Sequence, residues 1–180
     1  MRAAGPSGRR GRIRITGKRK SARRTVRTME IFAADESCVN VCADIYVRAF
    51  RAEPWNEEYE TDAVRAYLNE YLLGENLFFL ALRENGEVRA FSLGVKLPAV
   101  DGPYLRVEEF CVSPDAQRRG LGAYLMDGVC AEARKRGCDG VLLGTQKDVP
   151  AYGFYLKNGF VEIDKAALLY RAVSGDPEKE

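Results

Sequence analysis

Gly120 and Gly122, two glycines at alternate positions, follow a pair of arginines in the run Gln117-Arg118-Arg119-Gly120-Leu121-Gly122. An apolar stretch ends just before at Val112, and Ser113-Pro114-Asp115 make a turn. Leu121, Leu125 and Val129 then repeat at four-residue spacing, with Met126 and Cys130 alongside, which is the apolar stripe of a helix. A helix start presents backbone N–H groups without partners at the positive end of the helix dipole. Glycines there let a bulky anion approach the backbone, and Arg118 and Arg119 add positive charge at the rim. Holding a phosphate is the chemistry such a junction can do. No Gly-Lys-Ser/Thr follows, which excludes a P-loop, and a dinucleotide fingerprint needs a third glycine that is missing. Taken alone, the six residues are equally compatible with an ordinary strand–turn–helix whose glycines only make the turn.

The titratable residues narrow the chemistry further. Histidine is absent, which removes Ser-His-Asp and Cys-His catalysis, H-E-x-x-H metal hydrolysis and any imidazole base. Proton transfer therefore falls to carboxylate, tyrosine, cysteine, lysine or water. Glu108 and Glu109 stand side by side in an otherwise apolar strand, Tyr104 to Val112. Leu105 and Val107 are apolar at odd positions, Phe110 and Val112 at even ones. A strand of period two cannot change phase without an extra residue, so the pattern predicts a bulge near Glu108-Glu109. Cys111, with no histidine or cationic neighbour in sequence, reads as a small hydrophobe rather than a nucleophile. Trp55, the single tryptophan, has Glu53, Glu57 and Glu58 nearby and could hold a cationic amine by ring face and charge. A packed tryptophan among solvated glutamates is the alternative.

The strand–SPDAQRRGLG–helix arrangement, followed by a strand and then AYGFYLKNGF, resembles the GCN5-related N-acetyltransferase (GNAT) superfamily. The second signature, Ala-x-x-x-Tyr-x-x-x-Gly-Phe, appears as Ala151, Tyr155, Gly159 and Phe160. The resemblance covers roughly residues 29 to 172, and AFRAEPWNEEY at 49 to 59 resembles a subgroup that includes aminoglycoside-type acetyltransferases. It implies an acyl-CoA N-acyltransferase fold: an α/β domain with a mixed, mostly antiparallel sheet of about six to seven strands and about four helices. The central strand would be bulged and splayed from the next to admit the pantetheine arm.

The resemblance also implies roles. Acetyl-coenzyme A would be held by Phe110, Cys111 and Val112, by Gln117, Arg118, Arg119, Gly120, Leu121 and Gly122, and by Asp148 and Ala151. Tyr155 would be the general acid that protonates the coenzyme A thiolate; a phenol suits this because it is protonated at neutral pH. Packing of Tyr155 with Phe154 and Phe160 is the competing role. Glu108 or Glu109 would accept the amine proton, with Glu108 preferred for its position relative to the cofactor motif. A bulge leaves one N–H near Phe110 or Cys111 free to face the thioester oxygen. Trp55, Glu57 and Glu58 would belong to the acceptor wall. Asp148 stands where many relatives carry Asn; a carboxylate accepts hydrogen bonds without donating them, so the grip on the pantetheine would differ.

These residues must be positioned by the elements around them. Val26 to Phe32 reads as a first strand, and Asp35 or Ser37 caps a helix carrying Cys38, Cys42, Ile45, Tyr46 and Ala49 on one stripe. After a loop at 51 to 60, Thr61 or Asp62 starts a second helix with Val64, Tyr67, Leu68, Tyr71 and Leu72 on one face. Leu77 to Arg83 and Glu87 to Val95 are strands joined by Asn85-Gly86, a hairpin signal. The helix after Gly122 ends with Arg134, Lys135 and Arg136 before Gly137. Gly140 to Thr145 is a short apolar strand expected to be buried on both faces. Pro150 opens a helix, Asn158-Gly159 turns the chain, and Phe160 to Asp164 and Leu168 to Ala172 complete the expected strands.

Composition bounds the reading. With 180 residues the chain suits one domain, expected at 29–172, with a basic tail at 1–28 and a polar tail at 173–180. Residues 1–28 hold eleven Lys or Arg and no acid, leaving 17 basic against 26 acidic residues elsewhere, a net of −9. An acidic body attracts cationic, amine-bearing substrates. A short arm without aromatic residues carries no recognition specificity, so a solvated tail, or a stretch translated ahead of a start at Met29, is expected over nucleic-acid contact. Five cysteines without a C-x-x-C pair, no run of 18 apolar residues and no charged-then-apolar leader together lead to the expectation of a cytoplasmic protein with reduced thiols, no metal and no membrane contact. A homodimer is compatible with all of this, though nothing in the sequence specifies it. The leading expectation is an acetyl-CoA-dependent N-acetyltransferase acting on a small cationic amine, aminoglycoside- or polyamine-like. A protein or peptide N-acetyltransferase and a non-catalytic acyl-CoA-binding regulatory module are the alternatives.

Overall fold

The computed structural model describes residues 27–171, so residues 1–26 of the expected basic tail, Ala172 and the expected polar tail at 173–180 lie outside the described residues. In chain order the elements are β1 (Met29–Ala33), α1 (Val39–Arg51), α2 (Thr61–Leu72), β2 (Leu77–Glu84), β3 (Glu87–Leu97), β4 (Tyr104–Val112), α3 (Leu121–Lys135), β5 (Gly140–Leu142) and α4 (Pro150–Lys157). The five strands form one sheet in the order β1-β2-β3-β4-β5. All neighbours are antiparallel except β4 and β5, which run parallel.

Alternation along the strands splits the core in two. Phe79, Ala81, Phe91 and Leu93 face Cys42, Ile45, Val64 and Leu68 of α1 and α2. Phe78, Leu80, Leu82 and Ala90 face Leu121, Leu125, Met126 and Val129 of α3 on the opposite side. Asn85 and Gly86 both take positive φ (51° and 90°), the primed turn that the right-handed twist of a hairpin requires. Arg27 and Thr28 are tied to the sheet: Asn85 N–H donates to the Thr28 carbonyl at 2.9 Å, and Arg27 pairs with Glu84.

β4 carries the expected bulge. Leu93 pairs with Glu109 and Gly94 with Val107, so Glu108 is the extra residue. The phase change follows from it. Leu105 and Val107 pack toward α3, while Cys111 packs toward α1 and α2. The strand also splays as expected, because β5 pairs only with Tyr104, Leu105 and Arg106. Beyond Arg106, β4 has no neighbour on its β5 side among the described residues.

Two expectations fail. The segments 160–164 and 168–172 form no strand among the described residues, so the sheet has five strands rather than six or seven. Phe160 packs against Tyr155, but the chain then runs without a ladder partner among the described residues, and Leu168, Leu169 and Tyr170 are 89–99% exposed. Strand propensity without a partner edge makes no sheet. The second failure follows from the first: β5 is an edge strand of three residues, and its Leu142 is exposed rather than buried on both faces.

Candidate active site

The turn between β4 and α3 has the geometry of an anion cradle. Gly120 caps α3 in the left-handed region (φ 85°) and Arg118 also has a positive φ of 57°. No hydrogen bond of standard length and angle takes the N–H groups of residues 118–123 among the described residues; the first helical bond is Tyr124 N–H to the Gly120 carbonyl at 3.1 Å. A Cβ on Gly120 would meet nothing within 4 Å, so the space in front of the turn is open. Gly122 serves differently: a Cβ there would come within 3.2 Å of the Phe154 ring, which lets α4 close against α3. Gln117 anchors the turn by donating from Nε2 to the Val112 carbonyl at 3.1 Å. Leu121 contributes only its backbone here, since its side chain is buried in the core.

The two arginines part company. Arg119 turns away from the cradle to Glu84, a carboxylate 4% exposed that is shared with Arg27. Arg27 also donates to the Arg119 carbonyl at 3.0 Å. Glu84 was missed in the sequence, although a lone acid ending an apolar strand was the available signal. Arg118 is exposed at the turn.

Ser113 N–H donates to the Arg89 carbonyl at 2.8 Å, which sets the alternation of the β3–β4 ladder. Glu109 and Cys111 then bond to β3, while the amides of Phe110 and Val112 point to the open edge. On the α3 side of that edge, the Tyr155 ring packs against Phe110 (6.2 Å between centroids), Phe154 (5.2 Å) and Phe160 (5.6 Å). Burial, reinforced by Cys111 and Glu109, pushes its phenol well above the ordinary tyrosine range, so it is protonated throughout the physiological range. Ala151 lies in the first turn of α4, and Asp148 is exposed just before it.

On the other side of the sheet Glu109, 9% exposed, accepts a hydrogen bond from Tyr67 Oη at 2.6 Å. Burial raises its pKa to about 7; the Tyr67 hydrogen bond opposes that shift and the Glu108 charge adds to it. Glu108 instead pairs with Arg106. Cys111 is buried and its thiol is pushed up by burial and by the neighbouring Glu109 charge, as suits a packed cysteine.

A cleft of about 380 Å³ is lined by Tyr46, Tyr59, Ala63, Val64 and Tyr67, the last of which donates to Glu109. The Tyr46 ring stands 5.5 Å from Tyr59 and 6.4 Å from Tyr67, making a three-sided aromatic wall. Sequence reading placed Tyr46 and Tyr67 on apolar stripes and did not separate them from core residues. Tyrosine in place of leucine at inward positions of two helices was the signal, because a buried hydroxyl needs a partner. Trp55 does not line this cleft: it packs on Phe50 at 5.4 Å. Glu57 accepts the Tyr59 hydroxyl, and Glu58 is exposed. No group of three or more Cys, Asp or Glu placed to hold a metal occurs among the described residues, and no helix there is long and apolar enough to cross a membrane.

Known proteins resemble the chain in sequence and in fold. The chain is 31% identical over 126 residues to a mycothiol acetyltransferase of Saccharomonospora viridis, covering 67% of this chain but only 41% of that protein. A possible acetyltransferase from Clostridium difficile 630 superposes with a TM-score of 0.71 at 18% identity, over 81% of this chain and 99% of that one. AAC(6')-Iy, solved with the bisubstrate analogue CoA-S-monomethyl-acetylneamine, superposes with a TM-score of 0.64 at 19% identity, over 81% and 98% of the two chains. At such identities the two structures speak for the fold alone. With the sequence pattern of the acetyltransferase (GNAT) family matching residues 39–160, the chain belongs to that family.

Proposed function

We propose that this protein is an acetyl-CoA-dependent N-acetyltransferase whose acceptor is the primary amine of a small cationic molecule. The observation that carries the reading is the pairing of a free amide cradle at 118–123 with a carboxylate of raised pKa on the opposite side of a splayed strand. The cradle fits a diphosphate: its amides have no protein partner among the described residues, and Gly120 leaves the space before them open. Arg118 adds charge there, Gln117 holds the turn, and the open edge of β4 offers the amides of Phe110 and Val112 to an extended amide-bearing arm. Acetyl-CoA, when bound, supplies an activated acyl carbon.

The remaining chemistry belongs to the side chains. Glu109, with a pKa of about 7, is matched to removing a proton from an alkylammonium near neutrality, directly or through water. Glu108 is the weaker candidate because Arg106 already pairs with it. The Phe110 N–H faces the open edge as a donor for a developing oxyanion. Tyr155 Oη keeps its proton at neutral pH and stands ready to deliver it to a departing thiolate. Trp55 supports the acceptor wall through Phe50 rather than touching the amine.

An amine panel with free-thiol detection tests the reading. Turnover of acetyl-CoA with at least one amine, slowed roughly 100-fold in kcat by Tyr155→Phe, is the expected result. Tight coenzyme A binding with no turnover across amines, peptide N-termini and lysine side chains would replace it with a non-catalytic binding role.

A further inference from the structure

We propose that the acceptor is a monoamine whose single ammonium sits on an apolar or aromatic body, and that polyamines and aminoglycosides are poor ligands. This rests on the cleft being the acceptor side, and it sharpens the chemical class proposed above. The walls are three tyrosine rings, Ala63 and Val64. Ring faces attract one ammonium at close range, and the aliphatic positions offer nothing to a second. At about 380 Å³ the cleft sits at the small end of ligand sites.

Carboxylates decide the charge count. Glu109 is tied to the lining through Tyr67, whose hydroxyl it accepts. Glu57 accepts the Tyr59 hydroxyl, and Glu58 and Glu60, on either side of Tyr59 in the chain, are exposed; none of the three belongs to the lining. Glu108 is engaged by Arg106, and Asp62 by Arg65. A polycation seated in the cleft would therefore bring its further ammonium groups against a lining of rings and methyl groups that carries no carboxylate, and unpaired desolvated charge is strongly unfavourable. A body of carbon atoms instead buries apolar surface against Tyr46, Tyr59, Ala63 and Val64. The acidic exterior still gathers cations of every kind; the cleft makes the selection.

Equilibrium binding to the full chain in the presence of coenzyme A tests this separately from catalysis. The probes are 2-phenylethylamine, 1,4-diaminobutane and kanamycin at pH 8. The expected result is that 2-phenylethylamine binds at least 10-fold more tightly than either of the others. Tyr46→Ala should weaken it about 10-fold, while Tyr46→Phe, which keeps the ring, restores it within about twofold. Equal or tighter binding of the diamine or kanamycin, absence of binding by all three, or indifference to Tyr46→Ala would overturn the proposal. Tight 2-phenylethylamine binding without acetylation would leave this inference standing and sink the enzymatic reading instead.

Discussion

On its α3–α4 side the sheet offers an incoming molecule mainly main-chain groups: the amides of 118–123 and the open edge of β4 beyond Arg106. On its α1–α2 side it offers side chains: Tyr46, Tyr59, Tyr67 and the carboxylate of Glu109. Main-chain groups bind what every member of a fold must hold, because any sequence that makes the turn presents the same amides. Side chains can differ while the fold stays, so they carry selectivity. The bulge at Glu108 is where the two sides meet, since it sends Glu109 toward Tyr67 of the tyrosine cleft and Phe110 toward Tyr155.

Three substitutions separate the sides. The largest effect is expected from Glu109→Gln, which should lower kcat/KM for the amine by about 10²- to 10⁴-fold. In the native protein, activity should rise with pH through about 7 as the carboxylate loses its proton, and the variant should lack that rise. Stability carries the same signature with opposite sign. A carboxylate whose folded pKa lies above its unfolded value stabilises the protonated native state, and this contribution is lost as pH rises through about 7. Denaturant melts at pH 5 and pH 8 should show that loss in the native protein and not in Glu109→Gln. A pH profile unchanged by the substitution would move the base elsewhere.

An intermediate effect is expected from Glu84→Ala, which acts on the main-chain side without entering the cleft. Removing one partner of a buried ion pair costs about 3–5 kcal/mol, but Arg27 and Arg119 are 38% and 47% exposed and can turn to water, so about 2 kcal/mol is expected. Denaturant unfolding measures it. The KM for acetyl-CoA should rise as the turn loosens, while the amine KM holds. An equal rise in both would show that the two sides are not separable.

The smallest effect is expected from Gly120→Val. At φ 85° a branched side chain strains the backbone, although nothing within 4 Å would clash with its Cβ. The KM for acetyl-CoA should rise about 10-fold, corresponding to roughly 1.4 kcal/mol, with kcat within twofold. A change in kcat alone would mean the cradle also positions the reacting atoms.

Much of the fold was legible because it is local. The hairpin at Asn85-Gly86, the Thr61 start of α2, the Pro150 start of α4 and the limits of β4 all follow from residues within a few positions. The bulge was legible too, because a phase slip from odd to even apolar positions has one geometric cause. Residues 160–171 misled for the complementary reason: alternating apolar residues state a willingness to pair, and no neighbouring edge takes them up. The tyrosines escaped notice because, along one helix, a ring facing a cleft and a ring facing the core have the same spacing.

By itself the sequence determined the glycine turn that opens α3 and the phase of β4, since both depend on backbone groups and short spacing. Only the tertiary structure decided that Glu109 rather than Glu108 bonds a tyrosine of the cleft, that Arg119 serves Glu84, and that Trp55 packs on Phe50 instead of lining the cleft. Those outcomes depend on which side chains from distant segments arrive together, and burial then sets the charge that each can carry.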